Sequence, residues 1–264
     1  MIRNIIQKII NFFGYKVTKF KTIELVDFDH LTKFLTDTEK PIIFDVGANK
    51  GQSILRYKKI FPGSIIHCFE PNKNEVEKLV LKYQNENSIV LNNVAVGEKP
   101  GNLEFNIYAR SAHSSFKNLI PNTTWIKKRS QALGIKSEKY NLKKINTEIL
   151  TLDDYCSKKN INNIDILKID TQGYEDKVLE GAINLLKQNK IKIIQLELIF
   201  SEIYENPLNI YDVEKHLIPN NYKCFGFSNG GSLISHYIFQ SDFIYISSDI
   251  YDDLKKNKSP FFNN

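Results

Sequence analysis

Apolar residues recur along this chain at two periods. Ile2, Ile5, Ile6, Ile9, Ile10 and Phe13 return every three or four positions, which predicts an amphipathic helix over residues 1–13 with Arg3 and Lys8 on its polar face. That stripe suits packing on the main domain or a homodimer contact. A peripheral membrane contact through residues 1–13 is the alternative, and the few basic residues beside the stripe argue for the first. A second helix is expected over residues 28–35. From Pro41 the pattern changes to short apolar runs: 41–46, 65–69, 89–91, 164–169 and 193–198 read as buried strands. Between and after them, residues 52–60, 72–83, 175–188 and 210–217 read as helices. Residues 222–227 and 243–246 read as two last strands, with turn chemistry at Asn229-Gly230-Gly231. Strand and helix in alternation predict an α/β fold, a parallel sheet with helices on both faces.

One stretch departs from that alternation. Residues 97–163 hold strand-like runs at 102–108 and 144–150, a polar segment around 112–115 and a helix over 124–133. An insertion of this size is expected to cap the crevice at the carboxyl ends of the strands, where ligands bind in wound sheets. The chain therefore divides into an N-terminal helical extension (1–40), a main domain (41–250) carrying the insertion, and a polar C-terminal tail (251–264).

Composition narrows the class. The chain has 264 residues, 42% hydrophobic and 25% charged, an ordinary globular mixture. Its apolar runs are too short to span a bilayer, and no secretory signal is readable. Cys68, Cys156 and Cys224 are scattered, which points to a reducing, cytoplasmic setting without a disulfide framework. The net charge is +6, but the lysines are spread out, with small knots such as Lys127-Lys128-Arg129. No nucleic-acid partner is expected from that pattern.

Candidate chemistry gathers at strand ends. Asp45-Val46-Gly47-Ala48-Asn49-Lys50-Gly51 closes the first wound strand and opens a helix. Glycines serve where the backbone takes positive φ or must lie close to a ligand, and asparagine tolerates the same region. The free N–H groups of the helix that follows face the crevice. Glu70 ends the next strand, about twenty residues on, the position of a ribose-binding acid. Asp170 ends the strand 164–169 in Leu167-Lys168-Ile169-Asp170-Thr171-Gln172-Gly173-Tyr174-Glu175 and points to the same crevice.

These pieces together resemble the FkbM-type methyltransferase family. The matching segments are Asp45 to Gly51, Phe69-Glu70-Pro71, Asn93-Val94-Ala95-Val96-Gly97, Ser114-Ser115, Thr151-Leu152-Asp153-Asp154, and Leu167 to Glu175 running into Val178-Leu179-Glu180-Gly181-Ala182. The resemblance covers about residues 41–198. It implies a Rossmann-like seven-stranded methyltransferase sheet and S-adenosylmethionine as cofactor. It further implies that Asp45, Gly47, Asn49 and Gly51 hold the methionine end, that Glu70 binds the ribose, and that Asn93, Val94 and Ala95 lie against the adenine. Ser114 and Ser115 would meet the substrate, and Asp170 would lie beside the transferring methyl group.

Methyl transfer to an alcohol needs an oxygen aligned behind the methyl carbon and a group that takes the proton. Asp170 is the best-placed carboxylate, Glu197 ends the next strand, and His113 in the insertion has the most suitable intrinsic pKa. A divalent metal on Asp170 and Glu197 is left open, with no spacing that demands one. The reading is an S-adenosylmethionine-dependent O-methyltransferase acting on a hydroxyl of a sugar, glycan or related small molecule, as in polysaccharide biosynthesis. The rivals are methylation of nitrogen or RNA, and a binding or assembly protein that keeps the fold without the chemistry.

Overall fold

The computed structural model describes residues 28–228 and 239–258. The helix expected over residues 1–13 and the turn at 229–231 lie outside those residues.

In chain order the elements are α1 (Phe28–Leu35), β1 (Ile42–Val46), α2 (Gln52–Ile60), β2 (Ile65–Phe69), α3 (Lys73–Tyr83), β3 (Ile89–Asn92), β4 (Ala95–Val96), β5 (Gly101–Tyr108), α4 (Thr124–Ala132) and β6 (Asn141–Leu150). Then follow α5 (Leu152–Lys159), β7 (Ile164–Ile169), α6 (Glu175–Glu180), α7 (Ile183–Lys187), β8 (Ile191–Ile199), α8 (Ile210–Leu217), β9 (Lys223–Phe227), β10 (Gln240–Ile246) and α9 (Ser248–Asp253). The main sheet has seven strands in the order β3-β2-β1-β7-β8-β10-β9. It is parallel except for β10, which runs antiparallel to both β8 and β9.

Alternation along each strand supplies both faces. Ile43, Ile66, Ile166, Ile193, Ile244 and Ile246 pack with Leu35, Ile54, Tyr57, Leu79 and Ile250 of α1, α2, α3 and α9. Phe44, Phe69, Leu167, Ile194, Leu196 and Tyr245 pack on the other face under α5, α6, α7 and α8. The expected Rossmann-like sheet is therefore present.

The insertion builds a second sheet of its own, in the order β4-β6-β5. Its apolar residues Tyr108, Leu119, Ile126 and Tyr140 cluster with Ile199, Ile203 and Tyr204 at and just after the end of β8. Residues Leu152–Lys159 do not belong to it: Leu152, Tyr155 and Cys156 enter the core of the main sheet.

Two elements differ from expectation. The helix expected over 175–188 is two helices, α6 and α7, broken at Gly181-Ala182. A Cβ on Gly181 would stand 2.0 Å from the carbonyl oxygen of Gly97, so any side chain there would force the backbone to shift. The expected polar tail after residue 250 is structured in its first turns. The helix α9 runs on through Leu254–Lys258, and Leu254 is 2% exposed.

The feature that sets the site is the reversal between β1 and β7. Successive strands step outward from β1 to β2 and β3, and then from β7 the other way. The crevice opens at such a switch point, beyond the carboxyl ends of the two strands. Val46 and Ile169 are register partners there, so Gly47 and Asp170 lie side by side.

Candidate active site

The loop after β1 is built from backbone conformations that few residues adopt. Gly47 has φ +87°, Asn49 +45° and Gly51 +76°. A Cβ on Gly47 would lie 1.9 Å from the carbonyl oxygen of Asp170, so sterics and φ both require glycine. The loop is stitched to β2, since the N–H groups of Gly47 and Ala48 both donate to the carbonyl of Phe69.

Glu70 continues that stitching. One carboxylate oxygen accepts from the Asn49 N–H at 2.8 Å and the other from the Asn72 N–H at 2.8 Å. Burial pushes its pKa up to about 7 against the downward pull of those two donors. A carboxylate offers about four acceptor sites, so each oxygen of Glu70 retains one.

Loop and acid border a cavity of ≈230 Å³. Gly47, Ala48, Asn49 and Glu70 line it from the loop and the end of β2, Ala95 from β4, and Phe105, Ser111, Ala112, Ser114 and Phe116 from the insertion. The insertion is tied to the glycine loop, because the Ser111 hydroxyl donates to the Asn49 side-chain oxygen at 3.0 Å. It therefore does wall the crevice, as expected.

Asp45 is 0% exposed and lies below the lining. Its carboxylate has no hydrogen-bond partner and pairs with the Lys168 ammonium at 3.2 Å. Lys168 reaches Asp170 as well, at 3.3 Å, and lines the cavity. Burial presses the lysine pKa down, but Asp45 and Asp170 carry it above the ordinary value, so it stays a cation. Lys168 was missed in the sequence, although two opposite charges inside adjacent apolar runs at 42–46 and 164–169 were a readable signal. Asp45 and Lys168 are register partners across β1 and β7.

Asp170 also lines the cavity. Its Oδ1 accepts from the Gln172 side-chain amide at 3.0 Å, and the same amide nitrogen donates to Glu197 Oε2 at 3.0 Å. Glu197 does not border the main cavity. It faces a smaller one of ≈60 Å³ behind Asp170, with Arg56, Lys168 and Asp242. The Gln172 side-chain amide thus bridges the two acids. Among the described residues no group of three or more His, Cys, Asp or Glu side chains could hold a metal.

The remaining candidates divide. Ser114 lines the cavity, and its Oγ accepts from the Tyr108 N–H at 3.2 Å. Ser115 does not border the cavity: it is fully buried and donates to the Gln172 carbonyl at 2.8 Å. His113 does not face the cavity either. Its Nδ1 lies 2.6 Å from the Tyr140 hydroxyl and its ring packs at 4.6 Å from Trp125. Burial, then Arg110 and Arg129, lower its pKa to about 4, which leaves it a weak base. Asn93 braces the Glu70-Pro71 turn by donating to both carbonyls, Val94 is in the core, and only Ala95 of that trio reaches the cavity. Gly51 starts α2 behind the lining, against Leu79 and Ile54.

The cavity suits S-adenosylmethionine on three observations. The loop lines it with Gly47, Ala48 and Asn49, the buried Glu70 has acceptor capacity left, and the buried Asp45 holds carboxylate oxygens without a hydrogen-bond partner.

The chain is similar to known proteins. The family model described as "Methyltransferase FkbM domain" matches residues 45–226. The chain is similar to the 2-O-methyltransferase NoeI of Sinorhizobium fredii (strain NBRC 101917 / NGR234), at 25% identity over 184 residues, which are 66% of this chain and 70% of that protein. Among solved structures, methyltransferase FkbM from Methylobacillus flagellatus KT aligns with a TM-score of 0.49 and 13% identity. That alignment covers 78% of this chain but only 44% of the other, so the chain spans less than half the length of that relative. Magnesium protoporphyrin IX methyltransferase from Synechocystis PCC 6803, solved with bound SAM, aligns with a TM-score of 0.44 and 11% identity, over 93% of this chain and 96% of that one.

Proposed function

This chain belongs to the FkbM methyltransferase family, its matched domain is an S-adenosylmethionine-dependent methyltransferase domain, and from that premise we propose that it methylates a hydroxyl of a sugar, glycan or related small molecule. The observation that carries the reading is the meeting of Gly47, Asn49, Glu70 and Asp170 on one cavity at the sheet's switch point. The similarity to a 2-O-methyltransferase supports oxygen as the acceptor atom.

When bound, S-adenosylmethionine supplies an electrophilic methyl carbon and a good leaving group. In this reading Gly47 and Asn49 admit its methionine end, with Asp45 beneath, and Glu70 accepts from the ribose hydroxyls. Phe105 and Phe116 keep water from the cavity on the insertion side. Ser111 and Ser114 offer hydroxyls to orient the acceptor, and the Asp170 carboxylate takes the acceptor's proton as its oxygen forms the new bond. Lys168 pairs with both Asp45 and Asp170 and holds a cation beside the two acids at the strand ends.

Calorimetry with S-adenosylhomocysteine and transfer of labelled methyl groups to cell-surface polysaccharide fractions test the reading together. Asp170→Asn should lower transfer by on the order of 10²–10⁴ while the affinity for S-adenosylhomocysteine stays unchanged. Unchanged transfer would remove Asp170 as the base, and preferential binding of NAD would remove the function itself.

A further inference from the structure

We propose that Gln172 is a positioning residue for this reaction: its side-chain amide separates Asp170 from Glu197 and fixes the Asp170 carboxylate toward the acceptor. The inference rests on the reading of Asp170 as the base.

The backbone is the first observation. Gln172 has φ +59°, in the left-handed region. Every other non-glycine residue with positive φ among the described residues is an asparagine. A glutamine held there is strained and persists only where its surroundings over-determine it. They do so here. Ser115 donates to the Gln172 carbonyl at 2.8 Å, and the Glu175 carboxylate accepts from the N–H groups of Thr171 and Gly173 at 2.9 and 3.0 Å.

The side chain is the second. Its nitrogen donates to Asp170 Oδ1 and to Glu197 Oε2, both at 3.0 Å, and its oxygen accepts from the Tyr204 hydroxyl at 3.1 Å. With its nitrogen toward the two acids, the amide gives one N–H to Asp170 and one to Glu197. Asparagine, the residue this backbone favours elsewhere, is one methylene shorter.

The charges around the pair explain what the amide does. Lys168 on β7 and Asp45 on β1 lie on the side of Asp170. Asp242 on β10, Glu175 on α6 and, more distantly, Arg56 on α2 act on the acids and on Lys168. The other oxygen of Glu197 accepts from the Gln240 amide at 2.6 Å. Burial, reinforced by Asp170, lifts Glu197 to about 8. Two acids brought together without a donor between them share one proton, and the base is then protonated over a wider pH range. The Gln172 amide gives each acid a separate hydrogen bond.

Gln172→Gly tests this, because glycine suits φ +59° and keeps the backbone contacts while removing the amide. The expected result is a melting temperature no lower than wild type and S-adenosylhomocysteine affinity within about twofold. Methyl transfer should fall about tenfold at pH 7, and the acid limb of the pH–rate profile should rise by about one pH unit. Carboxyl-carbon NMR titration of wild type and variant needs no acceptor, so it decides even if no acceptor is found. The midpoints of Asp170 and Glu197 should move on substitution. Unmoved midpoints, or wild-type transfer with a wild-type pH profile, would overturn the proposal.

Discussion

Glu70 accepts a backbone N–H on each oxygen and yet is pushed by burial up to about 7, so its charge changes within the working range of a cell. The charged form is the better acceptor for ribose hydroxyls, and a group whose bound state favours the charge binds more tightly as pH rises through its pKa. Affinity for S-adenosylhomocysteine should therefore rise about tenfold from pH 6 to pH 8, following the ionised fraction of an acid with that midpoint. Glu70→Gln should bind more weakly and lose that dependence. A wild-type affinity flat across the range, measured by calorimetry, would separate Glu70 from the ribose. Residues of this kind were legible in the sequence because their chemistry is tied to a strand end or a glycine turn: Gly47, Asn49, Glu70 and Asp170 all meet at the cavity. Lys168 and Gln172 were not, since their partners lie in other strands and depend on register. His113 is the converse case. Its intrinsic pKa suited a base, but its ring is taken up by Tyr140 and Trp125.

The strands and helices of the wound half followed from apolar periodicity, and β1, β2 and β7 run over the residues expected of them to within one position. Strand order did not follow. The place of β10 between β8 and β9 rests on the antiparallel register from Gln240↔Ile199 to Ile246↔Ile193, which no local pattern encodes. Nor did the break between α6 and α7, where the apolar pattern continues and only a remote carbonyl intervenes. The backbone of Gly181 is ordinary, with φ −75°. Its requirement is close approach, because the Gly97 oxygen and the Thr151 side chain occupy the space of a Cβ. Gly181→Ala should thus destabilise the fold by roughly 1–3 kcal/mol through overpacking. Urea unfolding should show a lower midpoint, and S-adenosylhomocysteine affinity should change little, since Gly181 is not among the cavity's lining residues. A variant as stable as wild type would mean that the β4–β5 turn yields to the methyl group.

At the scale of the molecule, one sheet is covered on both faces and its crevice is walled by the insertion, so stability and site share the same strands. The face that carries Ile43, Ile166, Ile193, Ile244 and Ile246 is closed partly by α9 and the turn after it, through Ile250 and Leu254. Polar residues dominate the sequence there, which is why the segment read as a tail; two apolar side chains at helical spacing suffice to dock it. Among the described residues no helix is long and apolar enough to cross a membrane. Burial of Leu254 at 2% exposure places its removal among large-to-small core substitutions. Leu254→Ala should destabilise the protein by about 2–5 kcal/mol, whereas substitution in a solvated tail would cost almost nothing. The strands beneath Leu254 also carry Asp45 and Asp170 at their ends, but the cavity opens past those ends and not on this face. The loss should therefore appear in the denaturant midpoint, with methyl-donor affinity measured well below that midpoint unchanged. A midpoint equal to wild type would free the C-terminal segment from the core and restore the tail.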